Sequence, residues 1–156
     1  MPIPLLIVRP MLSIDEFARY ADLDASFLRT EIANGRLEAV RVGPRVLRIG
    51  HGAARDYLRR LGLSERRLRD FDEQRPTIAL QQVIGVADVA AFLGVRPQHV
   101  RNLQASGALA RRNLLTSGSL AGPKWLTRRV DGRWFGVERS DLLQFLETHC
   151  THTTRS

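Results

Sequence analysis

Cysteine and long apolar runs are nearly absent from this chain of 156 residues, and both absences narrow the class of protein. The single cysteine, Cys150, excludes a fold held together by internal disulfides and a cysteine-rich zinc site. Such cysteine usage is typical of a reducing compartment. No apolar run approaches the roughly 18–20 residues that cross a bilayer, and the chain start lacks the positive region of a signal peptide. The sequence therefore predicts a cytoplasmic protein with no membrane partner.

Lysine is equally scarce, whereas arginine is abundant. Lys124 is the only lysine among 24 basic residues, the acidic residues number 16, and the net charge is +8. An excess of basic residues favours a polyanionic partner. The sequence shows no basic amphipathic helix that would favour a membrane surface. Nucleic acid is therefore the expected partner.

Catalytic signatures are also missing. No Ser/His/Asp or Cys/His arrangement is placed to share a pocket. The Gly-rich stretch 116–122 has no preceding strand and no Gly-Lys-Ser/Thr ending, so it does not match a phosphate-binding loop. His149, Cys150 and His152 are metal-binding residue types, but their polar, terminal position favours a disordered tail. We therefore expect no enzymatic activity, no cofactor and no bound metal.

What the chain does contain is an internal repeat. Residues 4–37 align without a gap with residues 76–109, at a spacing of 72, and most apolar positions keep their type. Six aligned positions are identical: Pro4/Pro76, Ala18/Ala90, Arg29/Arg101, Ala33/Ala105, Gly35/Gly107 and Leu37/Leu109. We call these segments the first and the second repeat. They predict two small domains of about 75 to 80 residues each.

The first repeat carries the signals of two short helices. Ser13, followed three residues later by Glu16, matches a capping box. Asp22-Leu23-Asp24 is a turn, and Asp24 is suited to cap a second helix over 25–34. Gly35 is suited to the left-handed backbone conformation that often follows the end of a helix. Two short helices joined by such a turn form a helix-turn-helix.

A hairpin and a third helix are predicted next. Two β-rich runs, 37–42 and 46–49, flank the turn Gly43-Pro44-Arg45. A helix is then expected over roughly 53–61. The hairpin occupies the position of a wing.

The second repeat follows the same plan with a longer hairpin. Its helices are predicted at 86–93 and from Pro97, which is suited to a first helical position. The return strand at 133–137 and the third helix at 140–147 match the first copy at a spacing of 88. The second wing is therefore about 16 residues longer, with the extra residues at about 110–130.

These elements predict a division of the chain into four segments. They are a first domain at 1–62, a linker helix at 63–75 capped by Ser64, a second domain at 76–149 and a disordered tail at 150–156. Residues 5–8 and 77–80 each precede a repeat and are suited to a strand. They could pair with their own wing, with each other, or across a dimer.

The combined pattern resembles a known family. The motif in the first copy is Leu12–Ala18 followed by Leu28–Arg45, and in the second it is Ile84–Val95 followed by Val100–Leu109. It is similar to the winged-helix DNA-binding domains of excisionases and MerR-like proteins. The resemblance implies a mainly α fold with small β-hairpins, arranged as two tandem winged helix-turn-helix domains. It also implies that the second helix lies in the major groove and the wing on the minor groove or backbone.

Candidate contact residues follow from this resemblance. Arginine suits guanine, and asparagine or glutamine suits adenine; wing cations suit phosphates or a narrow minor groove. On the reading helices the candidates are Ser26, Arg29, Thr30, Gln98, His99, Arg101, Asn102 and Gln104. On the wings they are Arg41, Arg45, Arg48, Arg111, Arg112, Lys124, Arg128, Arg129 and Arg133. Glu31 would repel phosphate unless it meets cytosine or pairs with an arginine, so we expect the second repeat to read more bases.

The sequence therefore predicts a nucleoid-associated protein that binds double-stranded DNA sequence-specifically, first of all as a transcriptional regulator. An excisionase-like accessory factor of a mobile element and a plasmid centromere-binding partition protein are alternatives. A protein-interaction scaffold is an alternative of another class, open above all for the first repeat. The corresponding partners are DNA, a second copy or a cooperative assembly on DNA, and an integrase or RNA polymerase.

Overall fold

The computed structural model describes residues 5–110, 112–113, 127–128 and 134–151. It consists of two compact units. The first unit contains residues 9–77 and 146–151. The second unit contains residues 5–8 and the described part of 78–145.

The described residues form seven helices and eight short strands. The helices are α1 (Ile14–Ala21), α2 (Ala25–Ala33), α3 (His51–Arg60), α4 (Glu65–Glu73), α5 (Val86–Leu93), α6 (Pro97–Ala105) and α7 (Arg139–Thr148). The strands are β1 (Leu6–Val8), β2 (Val40–Gly43), β3 (Val46–Arg48), β4 (Ile78–Leu80), β5 (Val83–Ile84), β6 (Arg112–Asn113), β7 (Thr127–Arg128) and β8 (Trp134–Glu138). This composition confirms a mainly α chain with small hairpins.

The internal repeat of the sequence is also a repeat of structure. The helices α5 and α6 have the bounds of α1 and α2 shifted by 72 residues, and α7 has the bounds of α3 shifted by 88. The pairing of Leu12 with Ile49 recurs as the pairing of Ile84 with Val137. Each unit therefore has two helices, a hairpin and a third helix in the same order.

Local signals account for several of these helix ends. At α1 the Ser13 side chain accepts from the Glu16 backbone N–H, and the Glu16 carboxylate accepts from the Ser13 N–H, each at 3.1 Å. This confirms the predicted capping box. Asp24 stands at the N-cap of α2, but its side chain makes no capping hydrogen bond. Gly35 and Gly107 follow the second helix of each repeat and have φ angles of 79° and 84°. This left-handed backbone favours glycine at both positions.

The hairpins have related registers at their bases. In the first unit Val40 pairs with Arg48 and Arg41 with Leu47. In the second unit the backbone pairings Arg112 with Gly136 and Asn113 with Phe135 stand at the equivalent positions. Strand β7 pairs with the same strand β8. The loop positions that make the second hairpin longer lie largely outside the described residues.

Each unit has its own apolar core. In the first unit Leu12, Phe17, Leu28, Leu37 and Ile49 are fully buried, together with Leu58 and Leu68. In the second unit the largest fully buried side chains are Leu80, Ile84, Leu93, Leu109 and Leu142. Because burial of apolar side chains is the main favourable contribution to folding, both repeats form packed bodies.

Three segments depart from the predicted division of the chain. The segment 63–75, expected to be a linker, forms α4, which begins at the predicted cap Ser64 and buries Leu68 and Phe71 in the first core. Strand β1 pairs antiparallel with β4, so residues 5–8 belong to the second unit. Cys150, expected in a disordered tail, pairs with Val40 of the first unit. The remaining tail positions, 152–156, lie outside the described residues.

Among the described helices, none combines the length and the apolar character that crossing a membrane requires.

Candidate nucleic-acid interface

Helix α2, the predicted reading helix of the first unit, exposes the three residues predicted for it. Ser26, Arg29 and Thr30 are all exposed. The Thr30 hydroxyl donates to the Ser26 carbonyl oxygen at 3.1 Å, so its own oxygen is left as an acceptor. Arg29 is the only cation among the nine residues of α2. This face therefore offers one guanidinium and two hydroxyl groups.

Glu31 on the same helix is turned inward. It is only 7% exposed, and its carboxylate accepts hydrogen bonds from the Tyr57 hydroxyl at 2.7 Å and from Arg36 Nε at 2.5 Å. The hydrogen bonds from Tyr57 and Arg36 lower the pKa of Glu31. Burial and the Glu31 carboxylate raise the pKa of Tyr57 to about 12. The carboxylate therefore remains ionised, paired and away from the exposed face of α2.

This polar group extends to the end of α3. The Arg60 guanidinium lies 5.6 Å from the centre of the Tyr57 ring and donates to the Arg36 carbonyl oxygen at 2.8 Å. Backbone N–H groups of Arg36 and Leu37 also donate to the Glu31 carbonyl oxygen. Tyr57 and Arg60 of α3 therefore hold the end of α2, and the backbone bonds close the turn that follows it. We call Glu31, Arg36, Tyr57 and Arg60 the Glu31 network.

Helix α6, the predicted reading helix of the second unit, presents a different set of groups. Gln98, Arg101 and Asn102 are exposed, and His99 is half-buried. The Gln98 Nε2 group donates to the Asn102 Oδ1 atom at 3.0 Å, one helical turn away. This bond aligns the two amides along the helix surface beside Arg101. Side chains of these types can hydrogen-bond adenine and guanine edges in the major groove.

Gln104 differs from the other predicted reading residues. It is half-buried, and among the described residues its enclosed Nε2 atom has no hydrogen-bond partner. Its counterpart 72 residues earlier is Ile32, which is buried in the first core. The position therefore faces the inside of the helix pair. The expectation that Gln104 is exposed was wrong, because helix geometry turns this position away from solvent.

The wing of the first unit carries its arginines in two environments. Arg41 and Arg45 are exposed, and Arg41 Nη1 donates to the Pro44 carbonyl oxygen within the turn at 3.3 Å. Arg48 is half-buried, and its guanidinium donates to the Leu47 carbonyl oxygen at 2.9 Å. Burial lowers the pKa of Arg48. Arg41 and Arg45 are thus better placed than Arg48 to meet phosphate.

The wing of the second unit is described only in part. Arg112 lies in β6 and Arg128 in β7, and both strands pair with β8. The other candidates on this wing, Arg111, Lys124, Arg129 and Arg133, lie outside the described residues.

The charges of the two helix pairs have opposite signs. Residues 14–33, from α1 to the end of α2, contain five acidic and two basic residues, a net charge of −3. The equivalent residues 86–105 contain one acidic and two basic residues, a net charge of +1. The second helix pair is therefore the better match to a polyanion.

A second polar cluster in the first unit was missed by sequence reasoning. His51 Nε2 lies 2.6 Å from Asp72 Oδ1, and His51 Nδ1 lies 2.7 Å from Arg75 Nη1. Because a guanidinium only donates, Nδ1 accepts and Nε2 carries the hydrogen. Arg55 Nε donates to the other Asp72 oxygen at 3.0 Å, and Arg75 also donates to the Pro10 carbonyl oxygen. We call this the His51 cluster.

Burial and the positive charge of Arg75 lower the pKa of His51, although Asp72 acts in the opposite direction. The ring also stacks on Phe71. In the part of the chain that the structure describes, no three His, Cys, Asp or Glu side chains are grouped so as to hold a metal ion. No family model, no curated protein and no solved structure matches the chain.

Proposed function

We propose that this chain is a sequence-specific double-stranded DNA-binding protein, built from two tandem winged helix-turn-helix domains and used as a transcriptional regulator. The observation that carries the proposal is the recurrence, in both units, of two helices, a hairpin and a closing helix with an exposed arginine at the same place. That arginine is Arg29 in the first unit and Arg101 in the second. The net charge of +8 is consistent with a polyanionic partner.

The two units contribute unequally to recognition. In the second unit Arg101, Asn102 and Gln98 offer both guanine-type and adenine-type hydrogen bonds from one exposed helix face. In the first unit the exposed wing residues Arg41 and Arg45 suit phosphates, which fix the position of a protein without reading sequence. We therefore infer that the second unit reads bases and the first unit mainly binds the backbone.

Selection of bound duplexes from a random-sequence library by the full chain tests this function. We expect one enriched sequence that is not a perfect palindrome, because the two reading helices differ. If six to eight cations contact phosphate, log K should fall with log salt at a slope of about −5 to −7. The absence of any enriched sequence, or a slope near −1, would overturn the proposal.

Experiments with the same selected duplex distinguish a transcriptional regulator from a recombination accessory factor and from a partition protein. Strong bending, measured by gel mobility with circularly permuted sites, would indicate an accessory factor that acts with an integrase. Protection of an array of short repeats would indicate a partition protein. Control of a neighbouring promoter, with RNA polymerase present, would indicate the regulator that we propose.

A further inference from the structure

The turn between α1 and α2 forms an exposed groove of unusual composition. It is lined by Asp22, Leu23, Asp24 and Phe27. The Phe27 side chain is 46% exposed although it is large and apolar. Asp22 and Asp24 are exposed on either side of Leu23. We call this surface the Phe27 groove.

Aspartate is tolerated in a left-handed backbone and at an N-cap, but local folding does not require it at either position, nor an exposed phenylalanine beside it. Asp22 has a φ angle of 55°, in the left-handed region where glycine has the lower cost, and the equivalent residue in the second repeat is Gly94. Asp24 stands at the N-cap of α2 without a capping hydrogen bond from its side chain. Phe27 contributes little to the core, because nearly half of it meets solvent. The aspartates and the aromatic ring are therefore available for a role outside the fold.

The second repeat has different side chains at the positions equivalent to the Phe27 groove. The residues equivalent to Asp22, Asp24 and Phe27 are Gly94, Arg96 and His99. Two acidic positions have become one neutral and one basic position, and the aromatic hydrocarbon has become an imidazole. The first repeat thus combines apolar surface with negative charge where the second combines polar surface with positive charge.

We propose that the Phe27 groove docks a segment of a partner protein that places an apolar side chain next to an arginine or lysine. The apolar side chain removes the exposed face of Phe27 from water, and aromatic residues are enriched at the centres of protein interfaces. The basic side chain pairs with the carboxylates of Asp22 and Asp24 at the rim. Phosphate is repelled by the same carboxylates, so the groove favours a protein over DNA. Docking here does not require that the chain bind DNA.

The experiment uses a library of random dodecapeptides displayed on phage, selected on the full chain without DNA. The Phe27→Ser chain serves as the counter-target, so that only peptides bound at the groove survive. The most enriched peptide is then synthesised, and its affinity is measured by calorimetry at low and high salt. We expect an apolar residue flanked by arginine or lysine, bound at least tenfold more tightly by the unaltered chain than by Phe27→Ser, and more weakly at high salt.

Matched variants make the result specific to the groove. Asp22→Asn/Asp24→Asn removes both charges while keeping residues that tolerate a left-handed backbone and an N-cap. It should weaken peptide binding and remove most of the salt dependence. His99→Ser, the same change at the equivalent position of the second unit, should leave peptide binding unchanged. Since Phe27 and both aspartates are exposed, thermal melting should show that these variants remain folded.

Three outcomes would overturn the proposal. In the first, no peptide sequence is enriched over the counter-target. In the second, the enriched peptides are acidic. In the third, a 20-base-pair duplex that the chain binds displaces the peptide. The last result would place the groove in the DNA interface. Because the peptide selection and the calorimetry contain no DNA, their failure is separate from a failure of the chain to bind DNA.

Discussion

Different side chains hold the second helix of each repeat, α2 and α6, in place. In the first unit the Glu31 carboxylate is buried and hydrogen-bonded to Tyr57 and Arg36. At the equivalent positions of the second unit stand Leu103, which is half-buried, and Phe145, which is buried. One unit therefore has a polar anchor where the other has apolar residues. The same backbone accommodates both, because a buried position is stable when its polar groups are fully bonded or when it has none.

The two units have the same helix bounds but different charges on their helix pairs. The helix bounds coincide in the two units, yet the helix pairs carry net charges of −3 and +1. Most core positions keep the apolar character that packing needs, whereas exposed positions have diverged in charge. The exposed surfaces therefore differ more than the fold does, and among proteins of one fold function depends on such surface sites.

The largest expected effect concerns the two equivalent arginines. Arg101→Ala should weaken binding to the selected duplex by about 1–3 kcal/mol and relax the base preference at one position, because a bidentate contact to guanine is lost. Arg29→Ala should cost less, since the acidic residues around it reduce the attraction of that face for DNA. Binding to selected and random duplexes is measured by fluorescence anisotropy.

Arg19→Ala is the matched control, because it removes an arginine from the neighbouring helix α1. It should behave like a change in general charge, with the same small loss on both duplexes. Equal losses on selected and random DNA for Arg101→Ala, or a larger loss for Arg29→Ala, would contradict the division of roles between the units.

The next largest effect is expected when the polar pair Glu31 and Tyr57 is changed to the apolar pair found in the second unit. Tyr57→Phe should lower the free energy of unfolding by about 1 kcal/mol, because the buried Glu31 carboxylate loses a donor. Glu31→Leu/Tyr57→Phe installs the residue pair of the second unit and should recover most of that loss, since a packed apolar pair can replace a buried ionic one. Urea denaturation followed by circular dichroism measures both variants.

Tyr20→Phe provides the control for loss of a hydroxyl. Tyr20 is exposed, so the change should remain within about 0.5 kcal/mol. If the double variant is less stable than Tyr57→Phe alone, the two anchors are not interchangeable and the comparison between the units fails at this point.

A pH effect should come from the His51 cluster, which has no counterpart at Arg139, the equivalent residue of the second unit. The pKa of His51 is lowered in the folded protein. The unfolded chain therefore binds a proton first as the pH falls, and stability decreases below the ordinary histidine pKa of about 6.5. Protonation would place a hydrogen on Nδ1, which faces the Arg75 guanidinium.

Thermal melting between pH 5 and pH 8 measures this effect. His51→Gln retains a donor and an acceptor but does not titrate, so its melting temperature should depend less on pH than that of the unaltered chain. The remaining histidines are present in both proteins and act as the internal control. Identical pH dependence in both would show that another group is responsible.

The smallest expected effect lies at the turn. Asp22→Gly should raise the free energy of unfolding by about 0.5 kcal/mol, because glycine adopts the left-handed backbone at lower cost. The reciprocal change, Gly94→Asp, should lower it by a similar amount. Denaturation curves of the two single variants give the comparison directly. A loss of stability on Asp22→Gly would show that the aspartate serves the fold rather than a partner.

Short-range features could be predicted from the sequence. The capping box at Ser13 and Glu16, the turn at Gly43-Pro44-Arg45 and the left-handed Gly35 and Gly107 depend on residues close together in the chain. The second repeat's first helix was predicted at 86–93 and has those bounds. Pro97 occupies the first position of α6 as expected. These signals are local because capping and turn formation involve only a few consecutive residues.

Features that join distant residues could not be predicted in this way. Glu31 was expected to repel phosphate unless it met cytosine or paired with an arginine, and the pairing with Arg36 is observed. The hydrogen bond from Tyr57, 26 positions later, was not expected. Gln104 was expected to be exposed, whereas its side chain is half-buried and its Nε2 atom is enclosed. The pairing of β1 with β4 was one of three alternatives that the sequence left open. Each depends on which surfaces meet after the helices have formed.

The sequence by itself determined the duplicated plan, several helix ends and the excess of positive charge, because composition and near-neighbour patterns depend on consecutive residues. The third helices were predicted at about 53–61 and 140–147 and are observed at His51–Arg60 and Arg139–Thr148. Tertiary structure alone decided that α4 completes the first core, that Cys150 pairs with Val40 at the edge of β2, and that the ionised Glu31 carboxylate is hydrogen-bonded to Tyr57 and Arg36 inside the first unit. The physical reason is that burial and long-range hydrogen bonds depend on contacts between residues far apart in the chain, and many such contacts are compatible with one pattern of short helices and strands.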